Sequence, residues 1–207
     1  MQLLGRTFRA VLFDMDGTLV DSTRATTAAW TRWADRIREP VAPILAYAHG
    51  RPSRSTIARF ARGHDVDAEL AWHRAIELAE RSPVTAVGGA RALLTRLSVP
   101  WGIVTSADDA LARRRLSLAA LPVPQVLITI DRVARGKPAP DGYLEAARCL
   151  GVPAPACLVF EDSPVGIEAA RRAGMTVVAL TTTTASAALA ADTIIDDYTT
   201  LVPAAYA

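Results

Sequence analysis

Cysteine is nearly absent from this 207-residue sequence. Cys149 and Cys157 are too few for a disulfide framework and lack the spacing of a metal site, so both read as small core residues in a reducing compartment. Aromatic residues are sparse, with four each of Trp, Tyr and Phe. No run approaches the roughly 20 apolar residues that cross a bilayer. The longest runs, such as Val177-Val178-Ala179-Leu180, end within a strand's length, which excludes a membrane protein. The stretch before Asp14 has no room for a secretory apolar region and its cleavage site, so the chain is expected to start near Met1 in the cytoplasm. Neither sign of charge dominates: 23 Lys and Arg face 21 Asp and Glu, a formal charge of +2. The basic residues are scattered, and Arg113-Arg114-Arg115 sits inside an ordinary helical pattern, so no nucleic-acid partner is expected. There is no internal repeat. What is present, 51% apolar and 21% charged residues, suffices for one core and an accessory lobe.

Short β-rich apolar runs recur at 10–13, 101–105, 126–129, 158–160, 177–180 and 193–195. Helical patterns at 90–97, 109–118, 140–150 and 164–173 separate them. Near-continuous apolar strands alternating with helices predict an α/β fold, a doubly wound, Rossmann-like parallel sheet covered on both faces. One interval breaks the rhythm. Between the first strand and Trp101 lies far more chain than a crossover helix needs, and it reads as all-helical over 23–37, 41–47, 53–61 and 67–80. An inserted helical cap domain is expected over residues 19–87, with the α/β core formed by 1–18 and 88–207. Gly17 and the pair Gly88-Gly89 mark the hinges. In the last cap helix, Leu70, Ala71, Ala75, Leu78 and Ala79 form one apolar stripe, the face expected to be buried. Trp30, Trp33 and Trp72 are expected in the cap core. The threonines at 181–184 are expected to form a loop after a strand.

The polar residues carry the chemical signal, because each informative group follows a predicted strand, where open α/β sheets bind ligands. The first strand delivers Asp14-Met15-Asp16-Gly17-Thr18, with two carboxylates on one side of an extended chain and a glycine for the sharp exit. The next delivers Thr105-Ser106. After the third come Arg135-Gly136-Lys137-Pro138, and the fourth delivers Glu161-Asp162-Ser163. Carboxylates gathered so closely repel unless a cation sits among them, and hard oxygen ligands suit Mg²⁺. With one lysine and two hydroxyls added, the pocket matches a phosphoryl group, which needs charge neutralisation, in-line positioning and a nucleophile.

These motifs, in this order, resemble those of the haloacid dehalogenase superfamily over nearly the whole chain. Asp14-x-Asp16-Gly17-Thr18 is similar to its first motif, Thr105 to the second, Lys137 to the third and Glu161-Asp162 to the fourth. Helices inserted just after the first motif resemble the small cap of subclass I. The segments His49-Gly50-Arg51-Pro52 and Ala134-Arg135-Gly136-Lys137-Pro138 are similar to glycerol-phosphate and deoxyglucose-phosphate phosphatases. The resemblance implies that Asp14 attacks phosphorus and that Asp16 protonates the leaving alkoxide and then deprotonates water. It implies Mg²⁺ on the Asp14 carboxylate, the Asp16 carbonyl and Asp162, with Glu161 assisting directly or through water. Thr105, the Ser106 amide and Lys137 would bind the non-bridging oxygens. His49, Arg51 and Arg54 are the cap residues expected to meet the leaving group. Glu77 and Glu80 read either as acceptors for sugar hydroxyls or as a solvated helix face, and Asp21 either as a substrate contact or a helix cap.

The implied partner is therefore a small phosphorylated metabolite, a sugar or polyol phosphate, with no membrane and no obligate protein partner. A sugar-phosphate mutase on the same scaffold is the alternative, and a non-catalytic binding protein a weaker one. Mutases resembling this scaffold carry an apolar β-branched residue where this chain has Thr18, and a histidine near the position of Thr26. Asp16 speaks against the dehalogenase branch. The phosphonate-hydrolysing branch needs a cap lysine, and residues 19–86 contain none.

Overall fold

The computed structural model describes residues 1–3 and 5–201, so residues 202–207 of the expected core lie outside the described residues. Six strands form one parallel sheet: β1 Ala10–Phe13, β2 Trp101–Val104, β3 Val126–Ile128, β4 Cys157–Glu161, β5 Thr176–Leu180 and β6 Thr193–Ile195. Their order across the sheet is 3-2-1-4-5-6, with every neighbouring pair parallel. The winding reverses between β1 and β4, and such a switch point leaves a crevice outside the carboxyl ends of the two strands.

The apolar strands sort their side chains by the two-residue period of an extended chain. Val11 and Phe13 point to one face, Ala10 and Leu12 to the other, and all four are wholly buried. Against the first face pack α5 (Ala90–Arg96) and α6 (Asp109–Leu118), through Leu93 and Leu116. Against the second pack α7 (Asp141–Leu150) and α8 (Pro164–Arg172), through Ala146 and Ile167. The expected strands and crossover helices are all present, with ends shifted by a residue or so. Asp108 caps α6 by accepting from the Leu111 amide, and Ser163 caps α8 by accepting from Gly166, one residue before Pro164.

Between β1 and α5 the chain forms α1 (Thr23–Ile37), α2 (Val41–Ala48), α3 (Ser53–Phe60) and α4 (Val66–Ala79). Trp30, Trp33, Ile44, Ile57 and Leu70 give these helices an apolar cluster of their own, with Trp72 packed at its edge. The two connections to the body are tied together by an antiparallel pair, Val20–Asp21 with Thr85–Ala86, which the sequence did not announce. Leu19, Val20, Ala25, Val84 and Val87 pack into the α/β core, so the first turn of α1 is anchored in the body. Gly88 and Gly89 lie against Asp197 and Tyr198.

The face of α4 differs from the expected stripe. Leu70 is buried, but Leu78 is 38% exposed and Ala71, Ala75 and Ala79 face outward. The inward face carries Glu69 and His73, both buried, and the side chain of Glu77, 8% exposed. The reason is partnership across the interface. Glu69 accepts from Trp33 Nε1 at 3.0 Å and from Arg36, while Glu77 faces Arg115 of α6. A helix wedged between two apolar bodies buries carboxylates when each finds a donor. Among the described residues no helix is long and apolar enough to cross a membrane.

Candidate active site

The crevice at the switch point collects the expected groups. The Asp14 amide donates to the Phe160 carbonyl, 2.9 Å, extending the β1–β4 ladder by one residue and setting the Asp14 side chain at the strand's mouth. Asp14, Glu161 and Asp162 are all buried, and each offers a carboxylate oxygen within 4.8 Å of the others. Lys137, the only lysine in the chain, reaches across from the loop before α7. It donates to Asp14 Oδ1 and to Glu161 Oε1, the latter at 2.6 Å. The chain turns sharply after Asp16 at Gly17, whose φ of +85° suits glycine and where Asp162 leaves no room for a Cβ. Thr18 Oγ1 donates to Asp162 Oδ1 at 3.0 Å.

Three buried carboxylates share one ammonium, and the imbalance is felt. Burial pushes the Asp14 carboxyl well above the usual carboxylate range, helped by Glu161 and Asp162 and opposed by Lys137. Burial and the Glu161 charge push Asp162 up to about 7. Burial acts on Glu161 in the same sense, but Lys137 and the surrounding donors hold it below its ordinary value. Lys137 is held above its ordinary value by the two carboxylates despite its burial. A hard divalent cation among all-oxygen donors is the group that this charge deficit fits.

Glu161 is already committed on both oxygens. Oε1 accepts from Lys137 and from Tyr143 at 3.0 Å, and Oε2 accepts from the Asp162 amide at 3.0 Å, the Ser163 amide at 3.1 Å and Ser163 Oγ at 3.0 Å. Its geometry is that of a bracket for Lys137 and for the turn into α8. Thr105, buried at the end of β2, accepts from the Ala107 amide at 3.1 Å. Ser106 Oγ donates to the Gly50 carbonyl at 2.9 Å, so the cap turn touches the second motif directly.

That turn delivers His49 to the crevice. Its Nε2 lies 3.2 Å from both Thr183 Oγ1 and Thr184 Oγ1, and 3.6 Å from Asp162 Oδ2; burial holds its imidazole below the ordinary value. Gly50, at φ +71°, leaves no room for a side chain because Ser163 and Val165 press against it. Arg51 stacks on Tyr47, 4.7 Å to the ring centroid, with its Nε buried and unpartnered. Arg54 is not brought into this group: its exposed guanidinium pairs with Asp67 within the cap. Glu77 and Glu80 are neither solvated nor open to a ligand. Arg115 takes Glu77, and Glu80 accepts from Ser82 and the Arg81 amide. Burial pushes Glu77 up, but His73 and Arg115 hold it below its ordinary value. Asp21 is exposed and accepts from the Thr23 amide at 3.0 Å, so it serves the start of α1.

Several members of the site escaped the motif reading. Tyr143 braces Glu161 from α7, and its ring lies 5.4 Å from the Lys137 ammonium. Thr183 donates to Asp162, and Thr182 to the Gly17 carbonyl, so the threonine loop folds over the Asp162 carboxylate. Asp16 is held on Oδ1 by Ser22 Oγ at 2.6 Å and on Oδ2 by Arg115 at 2.9 Å. A run of hydroxyls after a strand and a helical arginine carry no spacing signature.

A family model described as haloacid dehalogenase-like hydrolase matches residues 8–174. Hexitol phosphatase A of Escherichia coli K12 is 42% identical over 178 residues, covering 83% of this chain and 82% of that protein. Validoxylamine A 7'-phosphate phosphatase of Streptomyces hygroscopicus subsp. limoneus is 42% identical over 205 residues, covering 93% of this chain and 95% of its own. Among solved structures, a hydrolase from Pseudomonas syringae superposes with a TM-score of 0.82 at 29% identity, covering 91% of this chain and 94% of that one.

Proposed function

Since the chain belongs to the haloacid dehalogenase-like hydrolases, we propose that it is a Mg²⁺-dependent phosphatase acting on a small sugar or polyol phosphate monoester. The observation that carries this reading is the meeting of Asp14, Lys137, Glu161 and Asp162 in one buried cluster at the switch point of the sheet. The relatives named for phosphatase activity toward hexitol and validoxylamine phosphates support the substrate class. Residues 1–18 and 88–207 act as the catalytic body and 19–87 as the cap, a division supported by the cap's separate apolar cluster. The two free cysteines, Cys157 buried as expected and Cys149 exposed on α7 instead of in the core, fit the cytoplasm.

Asp14 is the nucleophile. One of its carboxylate oxygens forms the bond to phosphorus as the phosphorus–alkoxide bond breaks, leaving an aspartyl-phosphate and a free sugar or polyol. Asp16 supplies the proton that the alkoxide takes, then removes one from the water that attacks phosphorus, regenerating Asp14 and releasing phosphate. Thr105, the Ser106 amide and Lys137 hold the non-bridging oxygens. Glu161, bound on both oxygens, keeps Lys137 aimed at Asp14. Asp14, the Asp16 carbonyl and Asp162 would hold the metal, which supplies positive charge against the attack of one anion on another.

His49 and Arg51 stand where a leaving group would meet the cap. A mutase is the weaker reading despite the likeness to a putative β-phosphoglucomutase from Bacteroides vulgatus, 27% identical with a TM-score of 0.80. Thr18 serves Asp162, and Thr26 accepts from Arg115. Incubating the protein with sugar and polyol phosphates, with and without Mg²⁺, tests the reading by phosphorus NMR. Inorganic phosphate is the expected product, and an isomeric sugar phosphate without it would favour the mutase.

A further inference from the structure

Arg115 is the only buried arginine among the described residues, and it lies outside every motif. It comes from α6 in the body, yet its guanidinium touches three other elements. One nitrogen pairs with Asp16 Oδ2 at 2.9 Å; the other reaches Thr26 Oγ1 on α1 at 3.1 Å and Glu77 Oε1 on α4 at 3.4 Å. The second carboxylate oxygen of Glu77 lies 3.2 Å from Nδ1 of His73, whose ring packs on Trp30 in the cap interior, 3.8 Å between centroids. An unbroken line of contacts thus runs from the cap core to Asp16.

The same helix face is seated along the body at three successive turns. Arg74 pairs with Asp108 at 3.1 Å and Asp131 at 3.4 Å, Glu77 pairs with Arg115, and the Glu80 carbonyl accepts from Arg114 at 2.9 Å. Only the middle contact reaches the catalytic cluster. Arginine suits that place, because its rigid fork presents several donors in fixed directions, whereas an ammonium is a point charge. With Ser22 Oγ on the other oxygen, Asp16 is gripped at both ends of its carboxylate.

We propose that Arg115 is the positioning residue for Asp16 and that Glu77 makes this positioning depend on the seating of the cap: the guanidinium stands correctly on Asp16 while α4 lies against α6. This rests on the reading of Asp16 as the acid–base group. The arrangement ties proton delivery to a closed cap, so that the alkoxide is protonated when the substrate is enclosed.

The test compares kcat/KM, which reads the steps up to departure of the leaving group, for an alkyl phosphate such as a hexitol phosphate and for an aryl phosphate whose leaving group needs no proton. Asp16→Asn serves as the reference. Arg115→Gln is expected to lose at least about 10-fold more on the alkyl than on the aryl substrate, a fraction of what general acid catalysis supplies. Glu77→Gln is expected to show the same skew at smaller size, and the double variant to be no worse than Arg115→Gln, because the two act in one line. Glu77→Gln keeps the test alive should Arg115→Gln unfold. Equal losses on both substrates, or additive losses in the double variant, would overturn the proposal. If Asp16→Asn itself shows no skew, the fault lies in the acid–base reading instead.

Discussion

At the residue scale, the centre of the molecule is a charge imbalance organised around one lysine. Lys137 meets two buried carboxylates, and a third stands beside them. Removing one partner of a buried pair leaves charge without compensation, which typically costs about 3–5 kcal/mol. Lys137→Ala is therefore expected to lower the unfolding free energy by about 3 kcal/mol or more. The loss should shrink in millimolar Mg²⁺, since a cation bound only by the folded state stabilises it. Denaturant titrations with and without the metal check both statements, and a loss unaffected by Mg²⁺ would contradict the assignment of the carboxylates as ligands. Tyr143→Phe removes a single donor from Glu161. About 1 kcal/mol of stability and a several-fold decrease in kcat are expected, because Glu161 retains four other donors.

At the scale of elements, the cap helix α4 is the most informative, because its buried face is polar. Burial pushes the Glu69 carboxyl up, but Arg36 and Trp33 hold it below its ordinary value of 4.5. A group whose folded value is depressed contributes stability above its unfolded value and loses it as pH falls through the folded one. The Tm gap between the protein and Glu69→Gln should be full at neutral pH and close progressively below about pH 4.5. A gap independent of pH would mean that the charge on Glu69 plays no part.

The strands were legible because burial on both faces leaves unbroken apolar runs such as Ala10–Phe13, and the motif residues were legible because they follow those runs. The stripe on α4 differs from the expectation because periodicity detects apolar faces, while this helix turns Glu69 and Glu77 inward toward donors far away in sequence. For the same reason Arg54 resembled a substrate contact until its partner Asp67, 13 residues on, was in view. The roles of Tyr143, Thr183 and Arg115 depend on pairings over 18 to 99 residues, which no local pattern encodes.

At the scale of the whole molecule, the strand order 3-2-1-4-5-6 sets β1 beside β4 and so brings Asp14 against Asp162 across 148 residues of chain. The cap closes the same crevice from above, through the Gly50 carbonyl on Ser106 and His49 beside the threonine loop. Arg51, stacked on Tyr47 at the edge of that contact, is expected to matter for discrimination. Arg51→Ala should weaken the preference among natural sugar and polyol phosphates more than it slows hydrolysis of a small aryl phosphate, and parallel losses would place Arg51 outside the recognition surface.

The central claim is that the phosphoryl group passes through a covalent acyl phosphate on Asp14, and trapping that mixed anhydride tests it most directly. Asp16→Asn, mixed with a good substrate and Mg²⁺ and quenched in acid, should accumulate phosphoryl groups on the peptide containing Asp14 by mass spectrometry, while Asp14→Asn should neither trap nor release phosphate. Phosphate release that persists in Asp14→Asn, or a phosphoryl group found on any other residue, would contradict it.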